Sequence, residues 1–239
     1  DRLGGVRRYL HWLVRHRVIP MNPAASLDPP RVERRLPKAI LSAFEAEQIL
    51  KVPDLSTPRG LRDRAILETL YATGVRRQEL AALKIDDIDL ENGRLMVRQG
   101  KGKRDRLLPL SERACAWIEK YLEESRFQIS RGADDGSLFI SHIGKRMHPE
   151  QMTKSVRRSI EDAEIEKPGA CHLFRHTLAT LMLEGGADLR YVQAMLGHAD
   201  ISTTQIYTRV AIGKLQEALE KSHPGAKLGR RAKVAVESD

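Results

Sequence analysis

The sequence of 239 residues predicts a mainly α-helical (α+β) protein with one small antiparallel β-sheet. Apolar residues recur at helical spacing along most of the chain, whereas residues 94–110 alternate apolar and polar side chains around a turn rich in Gly and Lys. Five of the eleven prolines lie within residues 20–37 and interrupt the helical pattern. These features predict the end of one helical domain, a linker, and a larger helical domain that carries a hairpin.

The first segment predicts an amphipathic basic helix over residues 3–17. Val6, Leu10, Leu13 and Val14 form its apolar face, and arginines occupy many of the other positions. Because the following prolines exclude a continuous helix, we expect an extended linker there. The predicted organisation is a helical remnant at 1–27, a linker at 28–38, the main domain at 39–225 and a flexible basic tail at 226–239.

Capping and stop signals define the helices of the main domain. Ser42 with Glu45 three residues later predicts a capping box, and Gly74 predicts the end of the next helix, after which another helix begins in VRRQELAALK. Leu95 and Val97 alternate with charged and longer side chains and predict a hairpin strand. We expect a third strand at 137–141 and further helices at 149–164, 172–185, 188–195, 200–207 and 212–221.

Composition limits the partners of the protein. The formal net charge is +9 and the isoelectric point is near 9.7, with basic residues spread along the whole chain, which favours a polyanionic partner. Cys115 and Cys171 lack the spacing of a disulfide framework and indicate a reducing compartment. No apolar run of membrane-spanning length and no signal-peptide pattern is present, so we expect a cytoplasmic protein with no membrane partner.

Two short motifs pair an arginine with another polar residue one helical turn away. Arg76 and Glu79 lie in TGVRRQEL, and alone they would be an ordinary exposed ion pair. His172 and Arg175 lie in HLFRH at a helix start, where an anion is favoured. A zinc site at His172 and His176 is disfavoured, because the HExxH glutamate and a well-spaced third ligand are missing.

Two further segments carry groups suited to proton transfer and nucleophilic attack. Lys101 lies in the hairpin turn QGKGKRDR, with Lys103 as the alternative, and a solvated turn is the ordinary interpretation. His198 and Tyr207 lie in GHADISTTQIYTRV, where the ordinary interpretation is a helix cap and a half-buried aromatic ring. Each residue alone is therefore uninformative.

Taken together, these residues form a set that can cleave a phosphodiester without a metal ion. The arginines and His198 can neutralise the nonbridging oxygens, and Tyr207 can act as the nucleophile. His172 or a neighbour can accept the phenolic proton, while Lys101 can protonate the departing 5′ oxygen. The expected catalytic residues are Arg76, Lys101, His172, Arg175, His198 and Tyr207, supported by Glu79.

The motifs ATGVRRQELAALKIDDID, GKGKRDRLLPL, HLFRHTLATLMLEGGADLRYVQAMLGHADISTTQIYTRV and HPGAK resemble the tyrosine recombinases, or phage integrase family, and the Xer-type dimer resolvases in particular. The resemblance implies a helical catalytic domain with a small sheet, preceded by the last helix of a core-binding domain. It implies the same roles for the residues named above, with Arg76 and Arg175 as the paired phosphate-binding arginines.

The resemblance predicts a site-specific recombinase that acts on double-stranded DNA through a covalent 3′-phosphotyrosyl intermediate. It implies no cofactor, and assembly as a homo-tetramer on paired sites, with or without a second recombinase. A catalytically silent DNA-binding regulator and a type IB topoisomerase-like nicking-closing enzyme remain alternatives. Ile212, Leu215 and Leu219 form an apolar stripe that is expected to dock on a neighbouring subunit, with packing within the chain as the alternative.

Overall fold

In a computed structural model of the chain, residues 2–25, 39–98, 105–130, 134–197 and 209–224 are described. The chain divides into two compact units, Asp1–Leu36 and Pro37–Asp239. The first unit contains helix α1 (Arg2–Arg15), which matches the predicted amphipathic helix. In α1 the ring of Trp12 stacks on that of His16, with ring centroids 4.1 Å apart.

The second unit is mainly helical, as predicted. Its described helices are α2 (Ala43–Lys51), α3 (Pro58–Thr73), α4 (Arg77–Ala82), α5 (Glu112–Lys120), α6 (Phe127–Ser130), α7 (Pro149–Asp162), α8 (Cys171–Glu184), α9 (Leu189–Leu196) and α10 (Arg209–Ser222). A 3₁₀ turn at Ile85–Asp87 follows α4, and a π-helical turn at Tyr121–Arg126 joins α5 to α6. The predicted helix at 200–207 lies outside the described residues.

The predicted helix signals act as expected on α2 and α3. Ser42 accepts a hydrogen bond from the backbone N–H of Glu45 (3.1 Å), and Glu45 accepts one from that of Ser42 (2.6 Å), which completes the capping box. Gly74 adopts the left-handed conformation (φ 58°) and donates its N–H to the carbonyl of Leu70, so α3 stops there. The end of α3 fixes where Arg76 begins the next helix.

Helix α3 is the centre of the core. Nearly all of its residues are buried, and it packs against α2, α5, α7 and α8. Tyr71 on α3 meets Phe174 on α8 edge to face, with ring centroids 6.4 Å apart. Because α3 is enclosed on all sides, its carboxyl end has a fixed position relative to the start of α8.

The sheet has three antiparallel strands in the order β1 (Ile88–Asp89), β2 (Arg94–Val97) and β3 (Arg106–Pro109). The predicted hairpin is β2 and β3, in which Leu95 pairs with Leu108 and Val97 with Arg106. The inward face of this hairpin carries Leu95, Val97 and Leu108, all buried.

The prediction of a third strand at 137–141 was wrong. Leu138, Phe139 and Ile140 are fully buried, so their apolar run is a core signal, but the segment makes only isolated bridges, Ser137 with Lys84 and Ile140 with Arg146. The third strand is β1, a two-residue strand that the Asp89–Asn92 turn folds back onto β2. A strand of this length carries no alternation to detect.

Helix α10 packs within its own chain, against β3, α8 and α9. Leu219 is fully buried there, which matches the alternative of packing within the chain, while the side chains of Ile212 and Leu215 lie outside the described set. None of the described helices combines the length and apolar character needed to cross a membrane.

Candidate active site

Arg76 is positioned by the sharp exit from α3. The backbone of Gly74 packs closely on α8, because a Cβ at this position would lie 2.8 Å from the Leu178 side chain, which would have to move. Two residues later Arg76 is the N-cap of α4, with its backbone N–H donating to Glu79 Oε2 (2.8 Å). Glu79 therefore caps α4 and brings its carboxylate beside the Arg76 side chain.

The Glu79 carboxylate is shared by two arginines. Arg76 Nη1 donates to Oε1 (2.9 Å), while Arg106 donates through Nη1 to Oε1 (2.9 Å) and through Nη2 to Oε2 (2.7 Å). Burial by itself would raise the pKa of Glu79, but the hydrogen bonds and charge of Arg106, together with hydrogen bonds from Arg76, outweigh burial and lower that pKa to about 2. The carboxylate is ionised at neutral pH and holds both guanidinium groups.

Arg175 lies one turn into α8 and is buried beside this pair. Its Nη1 donates to the carbonyl of Gly74 (2.7 Å) and its Nη2 to the carbonyl of Leu196, at the end of α9. Burial and the like charges of Arg76 and Arg106 lower the pKa of Arg175 to about 10. Arg175 thus stays protonated at neutral pH while its carbonyl partners supply no compensating charge.

The ends of four helices meet at these arginines. Arg76 Nη2 donates to the carbonyl of Gly197 (3.3 Å), the residue that caps α9 with φ 61°, and Arg175 holds the adjacent carbonyl of Leu196. Arg76, Arg106 and Arg175 face one carboxylate, so the cluster carries two positive charges in excess. Such a cluster is suited to an anion with several oxygens, such as a phosphate.

His172 lies on the exposed side of the first turn of α8, one turn before Arg175. The structure therefore places Arg76, Glu79 and Arg175 in one cluster, while His172 is exposed one turn before Arg175 in the sequence of α8. Burial and the neighbouring charges of His172 and Arg175 lower the pKa of His176. Among the described residues, no three His, Cys, Asp or Glu side chains are grouped as a metal site requires.

The other expected catalytic residues, Lys101, His198 and Tyr207, lie outside the described residues, as does Lys103. Their flanks are described: β2 ends at Val97 before the lysines, and Gly197 immediately precedes His198.

Arg106 is the member of the cluster that the sequence analysis missed. A signal for it was available, because the period of two in β3 places Arg106 on the same inward face as Leu108. An arginine at a core position must be paired with an acid, and Glu79, which was expected to pair with Arg76, is the acid that also accepts from Arg106.

Most of the second unit corresponds to a known family. The profile of the "Phage integrase family" matches residues 39–213, which is most of the chain. The chain belongs to the phage integrase family.

Individual family members are similar over most of the chain. Tyrosine recombinase XerC 2 of Ralstonia nicotianae is 46% identical over 236 residues, which cover 99% of this chain and 67% of that relative. The solved structure of XerA recombinase superimposes with a TM-score of 0.61 at 27% identity, covering 90% of this chain and 82% of that one. XerH site-specific recombinase, solved bound to its difH substrate before cleavage, gives a TM-score of 0.60 at 29% identity, covering 75% of this chain and 52% of that one.

Proposed function

We propose that this protein is a site-specific DNA recombinase that cleaves and rejoins strands through a covalent 3′-phosphotyrosyl intermediate. The observation that carries the proposal is the cluster of Arg76, Glu79 and Arg175, which the fold assembles from separate motifs in a chain 46% identical to a tyrosine recombinase. A silent DNA-binding regulator could use surface charge alone and would have no need of an arginine as deeply buried as Arg175 beside the like charges of Arg76 and Arg106.

In this proposal the arginines hold the scissile phosphate. Arg76 and Arg175 donate to the nonbridging oxygens, and Glu79 keeps Arg76 in place by its ion pair of 2.9 Å. Because Arg175 is buried, its charge is poorly screened by water and acts strongly on the negative charge that develops during attack. This fixed positive charge supplies the stabilisation that a metal ion gives in other phosphoryl-transfer sites.

The remaining roles fall to residues of the two flanking segments. Tyr207 attacks phosphorus, its phenolic proton passes to His172 or a neighbour, and the bond from phosphorus to the 5′ oxygen breaks. Lys101 protonates that oxygen as it leaves, and His198 assists the arginines. A 5′ hydroxyl of another strand then attacks the phosphotyrosine and releases the enzyme, so the bond energy is conserved and ATP is not needed.

Double-stranded DNA is the proposed partner, in line with the net charge of +9. XerH was solved bound to a DNA substrate, and this chain is similar to it at 29% identity. We further propose a homo-tetramer on paired sites, because exchange of strands between two duplexes needs cleavage of two strands at each site.

The test is covalent trapping on DNA with a nick a few nucleotides to the 3′ side of the cleavage position, so that the short fragment bearing the new 5′ hydroxyl diffuses away and religation fails. Wild type should give a slow-migrating adduct in denaturing gels with excess EDTA present, and Tyr207→Phe should bind the DNA but give none. Tyr191→Phe is the matched control, since Tyr191 is the preceding tyrosine and lies on α9; it should give the wild-type adduct. An adduct with Tyr207→Phe, or one that requires a divalent metal, would overturn the proposal.

A further inference from the structure

The first residue of β3 is charged, although it occupies a buried position where the strand pattern predicts an apolar side chain. Arg106 pairs with the buried Val97 across the hairpin and is itself only 6% exposed. Burying a guanidinium carries a large desolvation penalty unless strong hydrogen bonds compensate it. An arginine at this position, where the strand pattern predicts an aliphatic residue, therefore requires strong hydrogen-bond partners for its guanidinium group.

The guanidinium of Arg106 donates its hydrogen bonds to one acceptor group, the carboxylate of Glu79. Both of its terminal nitrogens donate to Glu79, at 2.9 and 2.7 Å, and its Nε has no acceptor among the described residues. A bidentate pair of this kind fixes the plane and the direction of the carboxylate. The same carboxylate receives Arg76 Nη1 and the Arg76 backbone N–H, so the orientation of Glu79 determines that of Arg76.

Arg106 also lies directly against the cap of α9. A Cβ on Gly197 would lie 3.1 Å from Arg106 Nε and 3.2 Å from its Cδ and Cζ, so the guanidinium fills the space beside the glycine. The carbonyl of Gly197 accepts from Arg76, and His198 follows it in the chain. One side chain thus contacts both the residue that orients Arg76 and the segment that leads to the proposed nucleophile.

We propose that Arg106 is a positioning residue for strand cleavage, which acts through Glu79 on Arg76 and through Gly197 on the end of α9. It is also the first residue of β3, five residues after Lys101 in the sequence. The inference rests on the proposed function, because it assigns Arg106 a part in the same reaction.

The test compares two buried arginines that each pair with one glutamate. Arg64 is the matched control: it is 8% exposed and donates through Nε and Nη2 to Glu68 (3.0 and 2.8 Å) in the core, with no contact to Arg76, Glu79 or Arg175. Single-turnover cleavage of nicked DNA is measured at saturating protein, at a temperature where circular dichroism shows each variant folded. We expect Arg106→Gln to cleave about 10- to 100-fold more slowly than wild type, as for a misplaced catalytic group, and Arg64→Gln to cleave at the wild-type rate.

A double-mutant cycle separates positioning from a general loss of order. If Arg106 acts on Arg76 through Glu79, then Arg106→Gln should add little to Glu79→Gln, and the two effects should be strongly non-additive. Arg106→Lys keeps the positive charge but loses the bidentate donation of the guanidinium group, so it should cleave several-fold more slowly than wild type. This variant replaces Arg106→Gln in the test if Arg106→Gln does not fold.

Three results would overturn the inference: equal slowing by Arg106→Gln and Arg64→Gln, additive effects with Glu79→Gln, or wild-type cleavage by folded Arg106 variants. Wild type is measured in parallel. If wild type forms no adduct, the proposed function fails, whereas an active wild type with an equally active Arg106→Gln variant refutes only the role of Arg106.

Discussion

Gly197→Ala is expected to damage both stability and catalysis, because two separate constraints require glycine there. The first is backbone conformation: φ is 61°, and the left-handed region costs a residue with a Cβ about 1–2 kcal/mol. The second is space, since the new methyl group would lie 3.1–3.2 Å from the middle of the Arg106 side chain. The contacted atoms, Nε, Cδ and Cζ of Arg106, are not the free end of a flexible side chain, so the guanidinium group itself must shift.

Gly136→Ala isolates the first constraint. Gly136 also has a positive φ, 73°, but a Cβ there would meet no atom within 4 Å. It should lose only the conformational term of about 1–2 kcal/mol. Gly197→Ala should lose that amount and part of the charge-assisted hydrogen bonding between Arg106 and Glu79, which is worth about 1.5–3 kcal/mol when intact.

Two assays check this prediction. Denaturant unfolding of both variants gives the difference in free energy of unfolding, for which we expect Gly197→Ala to be lower than Gly136→Ala by about 1–3 kcal/mol. Single-turnover cleavage should be slowed about 10- to 100-fold by Gly197→Ala and left unchanged by Gly136→Ala. Equal stability losses and equal cleavage rates would show that contact between Gly197 and Arg106 does not hold the site.

Two further predictions concern Lys101 and Glu79. Lys101→Ala should cleave ordinary DNA about 10²- to 10⁴-fold more slowly than wild type. It should recover most of its rate on DNA with sulfur at the bridging 5′ position, because a thiolate leaves without protonation. Rescue of Lys103→Ala instead would show that Lys103 is the general acid. The ion pairs of Glu79 lower its pKa from 4.5 to about 2, so their contribution to stability is present above pH 4.5 and is lost as the pH falls from 4.5 towards 2. Glu79→Gln should therefore be less stable than wild type at pH 7, and thermal unfolding should show the gap narrowing over that range by at most about 1.4 kcal/mol per pH unit; a constant gap would contradict the assigned pKa.

The sequence predicted those parts of the fold that local signals determine. The capping box at Ser42, the stop at Gly74 and the paired strands around Leu95 all follow from interactions within a few residues. The third strand was misplaced because the apolar run at 137–141 reflects burial in the core and not strand pairing. The third strand in the structure is β1, which is held by a turn and has too few residues to show an alternating pattern.

The site was predictable in its parts and not in its connections. Arg76, Glu79 and Arg175 were each visible in a motif, and the pairing of Arg76 with Glu79 was expected. The contacts that hold this pair and Arg175 in place join distant segments: Arg106 donates to Glu79, and Arg175 donates to the carbonyls of Gly74 and Leu196. Backbone carbonyls carry no sequence signal, and a buried arginine on a strand looks like one more residue of a basic hairpin. The assignments of Lys101, His198 and Tyr207 remain predictions.

The central claim is that a tyrosine of this chain becomes joined to the 3′ phosphate of cleaved DNA, and mass spectrometry of the trapped adduct tests it most directly. Trypsin and nuclease treatment should release a peptide of residues 191–209 that carries a residual nucleotide, since cleavage is expected after Arg190 and Arg209. This peptide contains both Tyr191 and Tyr207, and fragment ions distinguish them. We expect the nucleotide on Tyr207, attached through its 3′ phosphate. A nucleotide on any other residue, or a 5′ linkage, would contradict this expectation.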